Sequence, residues 1–475
     1  MLRSPHVHDV SPRQPHWVPD YRYALVMVVM IWAQLYYMIV PESFGAVGTP
    51  YGASTGLYRL IKLGLLGLAA LLIVWRAALA WLLLRRINLF LLAFVLLAGA
   101  STAWSIEPGV TIQRMIGVVS TLLVCIAFGL VSWRRTRFQD AVRPAVTALL
   151  LASVLIALVS PDLGIEQGTS FTLAGAWRGV TFQKNALGHL ASFGLVFWLH
   201  AWLARDAKLL PVLAGLAISV TALIGSRSST SMLSGVFACI FLFLLLRSPR
   251  NLRRYMPFII GAFAILVLTY ALAVLKVVPG MDALLTPITA LTGKDQTFSN
   301  RSVIWEIINE HIKLAPILGS GYGAYWTGPY PTSPSFVFLI KMYFYPTQAH
   351  NGYLETINDL GYVGLSFLLG FLFLYVRQAL QLFRLDRAQG ALFLGLFFLQ
   401  AIANLSEANW FQSTSFEWVI MMISTVALGR SLLEFRLRSY FGRPGEQQPE
   451  PSATPRADPG LAWTGRMPGD VAERR

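Results

Sequence analysis

Charged residues and cysteines are both scarce in this chain. Only 13% of its 475 residues are charged, whereas 55% are apolar, and a soluble protein is usually nearer a quarter charged. The two cysteines, Cys125 and Cys239, each lie inside an apolar run, where free cysteine behaves as a small hydrophobic residue. A soluble globular fold is therefore excluded, and neither a disulfide nor a cysteine metal site is expected.

Two motifs of nucleotide chemistry are also absent. No Gly-x-x-x-x-Gly-Lys-[Ser/Thr] phosphate loop occurs, which argues against ATP as the energy source. No Asp-x-Asp lies on a loop predicted to face the cytoplasm, which disfavours a metal-dependent nucleotide-sugar transferase. The net charge of +15 is distributed in short clusters between apolar runs, so we do not expect binding of nucleic acid.

Apolar runs long enough to cross about 30 Å of hydrocarbon recur along the chain. By run length we predict an all-α polytopic integral membrane protein with about twelve transmembrane helices. The segment before Tyr23 is too polar and proline-rich for a signal peptide, so we expect an uncleaved first span. Residues 77–84 either extend the second span or lie along the interface. The predicted spans begin near Tyr23, Leu57, Ile87, Met115, Ala145, Asn185, Leu209, Thr230, Pro257, Gly352, Ala391 and Ser415.

Basic residues concentrate on one side of the membrane when alternate loops are assigned to opposite sides. That side holds the N-terminus, loop clusters such as Arg134 and Arg135, and the C-terminal tail, so the positive-inside rule places both termini in the cytoplasm. The chain then divides into a cytoplasmic N-terminal segment (1–22), spans one to nine (23–277), a large external loop with short helices (278–350), spans ten to twelve (351–433) and a largely disordered cytoplasmic tail (434–475).

Basic residues on the external side occur singly, beside small or polar neighbours. Arg178 lies in GAWRGVTFQKNALGH together with Lys184 and Asn185, Arg227 lies in IGSRSSTSML, and Arg301 lies in FSNRSVIWEIINEHIKL. Guanidinium groups recognise phosphate through permanently charged, bidentate contacts. Taken together, these residues predict a binding site for an anionic substrate.

Arg178 and Arg301 could each have an ordinary structural role instead. Arg178 could be an ordinary loop arginine held by Asp162 or Glu166, and Arg301 could belong to a helix that merely covers the membrane surface. A nucleophilic serine in the run 228–231 has no base beside it in the sequence, so that role is speculative.

His350 opens the run HNGYLETINDLGYVG at the start of the tenth predicted span. Histidine is suited to proton exchange near neutral pH, and ionisable groups at a span boundary tend to face a cavity. Glu355 and Asp359 share a helical face by their i, i+4 spacing, and one of them could orient the imidazole. We predict His350 as the catalytic residue, with Asn351, Glu355 and Asn185 in support; a capping histidine is the alternative.

Other residues of the external loop allow two interpretations each. Glu306, Glu310 and His311 could be imagined as metal ligands, but their spacing equally fits the exposed face of a loop helix, and no metal is predicted. Aromatic residues of the loop suit either an interfacial belt or stacking on sugar rings. These aromatic residues are Tyr322, Tyr325, Trp326, Tyr330, Tyr343 and Tyr345.

The run at His350 resembles the His-Asn-x-x-Leu-x(6)-Gly-x-x-Gly signature of the O-antigen ligase and Wzy polymerase superfamily, and it follows the large external loop as in that family. The signature positions are occupied by His350, Asn351, Leu354, Gly361 and Gly364. Three further segments, RGVTFQKNALG, GSRSSTSML and ILGSGYGAYW, look most like ExoQ-type exopolysaccharide polymerases. Gln183 stands before Lys184 where many relatives carry a histidine, which leaves His350 as the strong candidate base.

The resemblance implies a fold like that of C-type membrane glycosyltransferases and an enzyme of the bacterial inner (cytoplasmic) membrane that acts on the periplasmic side without metal or cofactor. Its donor would be a glycan linked to undecaprenyl pyrophosphate and its acceptor a sugar chain; membrane lipids and proteins of export and chain-length control are further candidate partners. Arg178 and Arg301 would bind the pyrophosphate, with Arg227 or Lys184 as helpers. His350 would take a proton from, or position, the attacking hydroxyl.

Three functions compete on these grounds. A polymerase would join repeat units into exopolysaccharide or O-antigen, whereas a ligase would move the finished glycan onto a lipid A core or a protein. The ExoQ-like segments favour the polymerase. A transporter or flippase is disfavoured because the midspan regions are nearly free of charge, whereas transporters place charged residues there.

Replacing Arg301 with lysine tests the anion-ligand prediction. We expect Arg301→Lys to weaken binding of a pyrophosphate-linked donor, because an ammonium group cannot reproduce the bidentate contact of a guanidinium. Donor affinity can be measured by titration of the purified protein in nanodiscs. Unchanged affinity would favour the surface-helix interpretation.

Overall fold

The computed structural model describes residues 56–130, 133–167, 175–181, 183–248, 255, 258, 261–262, 301–412 and 415–441. Over these ranges the regular structure is helical, apart from one isolated antiparallel bridge between Ile165 and Trp177, and the predicted all-α fold is confirmed. The main helices are α1 (Gly56–Trp75), α2 (Ala77–Leu84), α3 (Leu89–Ala100), α4 (Pro108–Gly129), α5 (Arg137–Val159), α6 (Lys184–Ala204), α7 (Leu209–Ser226), α8 (Ser229–Arg247), α9 (Arg301–Ile312), α10 (Val337–Met342), α11 (Gly352–Leu385), α12 (Arg387–Ala403) and α13 (Phe416–Phe441).

Seven helices in the described ranges are long and apolar enough to cross a membrane: α4 to α8, α11 and α13. Helices α1 and α2 add an eighth if they form one span, although they are bent by 96° at Arg76, while α3 and α12 are shorter apolar helices. The predicted spans from Tyr23 and, for the most part, from Pro257 lie outside the described residues. The other predicted spans each coincide with a helix; α4 and α5 begin before Met115 and Ala145 because their first turns are polar.

Helices α6 and α13 are the central elements of the bundle. In the most apolar stretch of each helix, 78% of α6 and 94% of α13 is buried, whereas the corresponding share of α7 is 33%. Small residues allow this close packing: a Cβ on Gly188 of α6 would lie 2.6 Å from Ser231 Oγ of α8, and one on Gly194 would lie 2.4 Å from Ser219 Oγ of α7. Close backbone approach through small residues is a common way for membrane helices to associate.

Helix α11 is interrupted at Gly361, where φ is 63° and ψ is −164°. The external loop approaches α11 at this break: Tyr362 N donates to Pro316 O (2.9 Å) and Val363 N to Ile317 O (3.2 Å). Gly361, one of the signature glycines, therefore lies where the external loop contacts the helix. The part of the helix after the break, residues 362–385, is roughly 36 Å long at about 1.5 Å per residue, so it alone can cross a bilayer core of about 30 Å.

The chain divides by its internal contacts into two units, Met1–Glu434 and Phe435–Arg475. Helix α13 continues to Phe441, past the predicted end of the last span at residue 433. The predicted N-terminal segment (1–22), the loop up to residue 300 and the tail after residue 441 lie outside the described residues.

The break in α11 predicts a stability effect. A Cβ on Gly361 would lie 2.2 Å from the backbone oxygen of Ile317, at a positive φ. We expect Gly361→Ala to destabilise the protein by about 1–3 kcal/mol, measured as a lower thermal unfolding temperature in detergent. Gly67→Ala is the matched control, because no atom lies within 4 Å of a Cβ there; equal unfolding temperatures for both variants would contradict this account.

Candidate functional site around Glu407

The backbone at His350 is held in an uncommon conformation. His350 has a φ of 51°, in the left-handed region that residues other than glycine rarely adopt. The preceding residue, Ala349, is held by hydrogen bonds at both of its backbone polar atoms: its N donates to Glu355 Oε2 (2.7 Å), and its O accepts from Trp305 Nε1 (2.9 Å). Glu355 also accepts from Trp326 Nε1 at 2.7 Å. The surrounding contacts therefore fix the direction in which the imidazole points.

The two residues after His350 bring a distant loop to the site. Asn351 caps α11 by accepting from the backbone amides of Tyr353 and Leu354, as expected of an N-cap side chain. Gly352 N donates to Asn404 O at 2.8 Å, and a Cβ on Gly352 would lie 2.2 Å from Asn404 Oδ1. Only glycine allows this approach, which places the α12–α13 connection beside His350.

The α12–α13 connection contributes Glu407, which binds the predicted site residues together. Its Oε2 accepts from His350 Nδ1 at 3.0 Å and from Gln348 Nε2 at 3.0 Å. Its Oε1 accepts from Asn185 Nδ2 at 2.7 Å and from Arg301 Nη2 at 2.8 Å. Glu407 itself is only 2% exposed. We refer to Glu407 and these four partners as the Glu407 cluster.

The environment of Glu407 favours its charged form. Burial by itself raises the pKa of this carboxyl group, but the charges of His350 and Arg301 and the hydrogen bond from His350 outweigh it, with a smaller contribution from His189. The pKa of Glu407 is thereby lowered from 4.5 to about 2. Because a carboxylate can only accept hydrogen bonds, the proton of a neutral His350 sits on Nδ1, and Nε2 is left as the basic atom.

The carboxylate partner of His350 is a correction to the sequence prediction. Neither Glu355 nor Asp359 orients the imidazole: Glu355 binds Ala349 and Trp326, and Asp359 accepts from Gly323 N at 2.9 Å. Both side chains of α11 face the external loop, whereas the left-handed turn at His350 directs the imidazole towards Glu407. A lone glutamate between the last two predicted spans, in ANLSEANWF, was the available signal for Glu407.

Arg301 and Asn185 enter the cluster from two separate helices. Arg301 is the first residue of α9, and its side chain remains 14% exposed. Asn185 lies in the first turn of α6, and its Oδ1 accepts from Ser228 Oγ at 3.0 Å. Ser228 is buried and also bonds Ser231 Oγ at 2.8 Å. The serines therefore orient an amide, and their burial disfavours a nucleophilic role.

Two of the other predicted anion ligands are sequence neighbours of residues in the site. Lys184 and Arg227 directly precede Asn185 and Ser228, and Arg227 closes α7 with a left-handed φ of 49°. Arg178 donates from Nε to Leu163 O at 2.9 Å. Glu166, one of the two carboxylates considered as its alternative partner, accepts from the backbone amide of Lys184 at 3.2 Å.

Burial separates the aromatic residues of the external loop into three groups. Tyr322, Tyr325 and Trp326 are at most 3% exposed and form part of the packed interior, so they cannot stack on a sugar or line a membrane surface. Tyr330 and Tyr345 are half-buried, and Tyr343 is 92% exposed. These last three residues remain available for either of the two roles considered from the sequence.

The residues considered as metal ligands have other contacts. Glu310 pairs with Lys313 at 2.6 Å, and His311 Nδ1 bonds Asn358 Oδ1 at 2.8 Å. Over the described ranges, no group of three or more His, Cys, Asp or Glu residues is arranged to hold a metal ion.

Comparison with known proteins shows which family this chain is similar to. Residues 214–369 match the family model described as O-antigen ligase; the matched segment contains Arg227, Arg301 and His350, whereas Glu407 follows it. Together with the apolar helices, this match identifies an integral membrane protein similar to that family.

A particular relative extends the comparison. The chain is 26% identical over 294 residues to the "Exopolysaccharide production protein ExoQ" of Rhizobium meliloti (strain 1021), an alignment that covers 59% of this chain and 62% of the relative. The resemblance to the O-antigen ligase and Wzy polymerase superfamily, and to ExoQ-type proteins, is thus confirmed.

The lowered pKa of Glu407 predicts a pH-dependent stability. A carboxyl group with a pKa of about 2 when folded and near 4.5 when unfolded stabilises the fold fully above pH 4.5, and this contribution is lost as the pH falls towards 2. We expect Glu407→Gln to lower the unfolding temperature at pH 7 and to reduce its decline between pH 5 and pH 3. Glu310→Gln, at an exposed pair, is the control; identical pH dependence in both variants would contradict the assignment.

Proposed function

We propose that this protein is a membrane glycosyltransferase that polymerises undecaprenyl-pyrophosphate-linked oligosaccharide repeat units into exopolysaccharide or O-antigen. The observation that carries the proposal is the contact between His350 Nδ1 and the buried Glu407 carboxylate, with Arg301 on the same carboxylate. This arrangement places a proton acceptor, His350, and a fixed cation, Arg301, on one carboxylate. A transferase that displaces a pyrophosphate leaving group can use both, the first to activate the attacking hydroxyl and the second to stabilise the leaving group.

His350 acts as the general base in this proposal. Its Nε2 takes the proton of the acceptor hydroxyl while that oxygen forms a bond to the anomeric carbon of the donor sugar. The side chain is 17% exposed, which supports access by an acceptor. Glu407 stabilises the imidazolium that forms and holds the ring in one tautomer, as a third group does for other activated bases.

Arg301 stabilises the leaving group. As the bond between the anomeric carbon and the pyrophosphate oxygen breaks, the electron pair leaves with undecaprenyl pyrophosphate, whose charge increases. A guanidinium already fixed by Glu407 meets this charge without reorganisation. Lys184, Arg178 and Arg227 are proposed as further pyrophosphate ligands.

The proposed setting is the bacterial inner membrane, with both termini in the cytoplasm and the Glu407 cluster on the periplasmic side. The lipid tail of the donor would then remain in the bilayer while its pyrophosphate meets the cluster. A growing glycan is the proposed acceptor, and no metal or other cofactor is assigned a role.

Transfer of a finished glycan to lipid A core or to a protein is the second candidate function. It is favoured by the match to the family described as O-antigen ligase, whereas the ExoQ relative is named for exopolysaccharide production. Both reactions use the same base and the same leaving group, so the acceptor distinguishes them.

Reconstitution with a lipid-linked repeat unit tests the proposal. Purified protein in nanodiscs should convert an undecaprenyl-pyrophosphate repeat unit into a ladder of longer lipid-linked glycans. We expect His350→Ala to slow this conversion by about 10²–10⁴-fold, the usual contribution of a general base. Product length can be read on gels and by mass spectrometry.

His311→Ala is the matched control, because His311 lies in the same external region and bonds Asn358 rather than Glu407. It should retain the ladder. Transfer that requires an added lipid A core would favour the ligase, and full activity of His350→Ala would rule out the role of the base.

A further inference from the structure

Three large apolar side chains of the external loop are exposed around the end of α10. Ile340 is 63% exposed, Tyr343 92% and Phe344 58%, and we call these three residues the α10 tip. The tip lies outside every helix of the described ranges that is long and apolar enough to cross a membrane, so the lipid contacts of a span do not explain its exposure. Exposed apolar groups that cluster in this way mark a binding surface.

The two faces of α10 have opposite environments. On one face, Phe338 is fully buried and stacks on Trp326 with 5.1 Å between the ring centroids. At the end of the helix, Tyr343 adopts a left-handed φ of 54°, and its N donates to Leu339 O at 3.1 Å. A left-handed tyrosine is uncommon. One face of α10 is therefore fixed in the interior of the loop, while the tip is left open.

The contacts of α10 connect the tip to the part of α11 that enters the bilayer. Trp326, which stacks on Phe338, donates to Glu355 of α11 at 2.7 Å. Glu355 precedes the break in α11 by six residues, a separation of about 9 Å in a helix, and residues 362–385 then cross the hydrocarbon core. Ile317, whose side chain is exposed, accepts from α11 just after the break. These separations keep α10 within reach of the headgroup region, which adds about 5–8 Å to each side of the core.

The charge and chemistry of the loop suit a surface of lipid headgroups. From residue 311 to residue 354 the sequence contains no Asp or Glu, and Lys341 beside the tip is exposed. Aromatic rings next to a lysine on an apolar surface are typical of segments that lie in a membrane interface. A glycan would need several groups that bond its hydroxyls, but in residues 337–344, VFLIKMYF, only Lys341 and Tyr343 have polar side chains. The bilayer therefore fits this surface better than a sugar chain.

We propose that the α10 tip inserts into the headgroup region of the bilayer on the side of the external loop, with Lys341 against the lipid phosphates. The tip then holds the loop on the membrane surface beside the entry of α11. Trp326 and Glu355 connect α10 to Ala349, the residue before His350, so the same contact fixes the position of His350 relative to the membrane. Lipid binding of this kind does not depend on the proposed reaction.

The accessibility of a spin label at residue 343 tests the proposal without any glycan. The full chain, with Cys125→Ala, Cys239→Ala and a labelled Tyr343→Cys, is reconstituted into vesicles of phosphatidylethanolamine and phosphatidylglycerol. Electron paramagnetic resonance then measures how readily oxygen and a water-soluble nickel chelate reach the label. We expect the ratio of oxygen to nickel accessibility to be at least about threefold higher at residue 343 than at a label in water, because the apolar gas partitions into lipid and the chelate does not.

Two other labelled positions are the matched references. Lys313→Cys lies in the same external region, exposed and beside Glu310, so its label should report water. Phe373→Cys is exposed on the membrane-crossing part of α11, so its label should report hydrocarbon. A ratio at residue 343 equal to that at Lys313→Cys would overturn the proposal, and so would a label shielded from both reagents, which would show that a second copy of the chain covers the tip. Phe344→Cys gives the same test if Tyr343→Cys does not accumulate in the membrane.

Discussion

The buried carboxylate of Glu407 is the interaction on which the arrangement of the site depends. An ionised group removed from water costs several kcal/mol unless opposite charges and hydrogen-bond donors replace the lost hydration. Glu407 obtains these donors from Asn185, Arg301, Gln348 and His350. These hydrogen bonds to Glu407 hold four parts of the chain in one relative position: α6, α9, the start of α11 and the α12–α13 connection. Charge pairing therefore fixes the site next to a buried apolar cluster that includes Trp305, Trp326 and Leu354.

The local backbone of residues 349–352 serves the same requirement. Ala349 is clamped by Glu355 and Trp305, the left-handed turn at His350 directs the ring, and Asn351 begins the helix. Gly352 then admits the loop that carries Glu407. Each residue has a separate physical task, and this explains why a histidine and two carboxylates stand together at the mouth of a hydrophobic helix. One of those carboxylates, Glu355, supports the backbone, and the carboxylate that binds the imidazole comes from elsewhere.

Sequence patterns predicted the helices better than the contacts between them. Run length located a helix for each predicted span within the described residues, because apolar length is a local property. The i, i+4 spacing correctly placed Glu355 and Asp359 on one face of α11, but it could not indicate which neighbour that face contacts. The aromatic residues of the loop show the same limit: Tyr325 and Tyr343 are alike in the sequence, yet the first is 1% and the second 92% exposed.

The sequence by itself determined that this chain is an all-α integral membrane protein, and it singled out His350, Arg301 and Asn185 as polar groups at the ends of apolar segments. Only the tertiary structure decided that these groups converge on Glu407, because His350 and Arg301 are separated from it by 57 and 106 residues along the chain. The hydrophobicity of a segment is the sum over neighbouring residues, so apolar helices can be recognised from the sequence alone. Electrostatic pairing depends on distances of about 3 Å between side chains, and those distances exist only after the helices have packed.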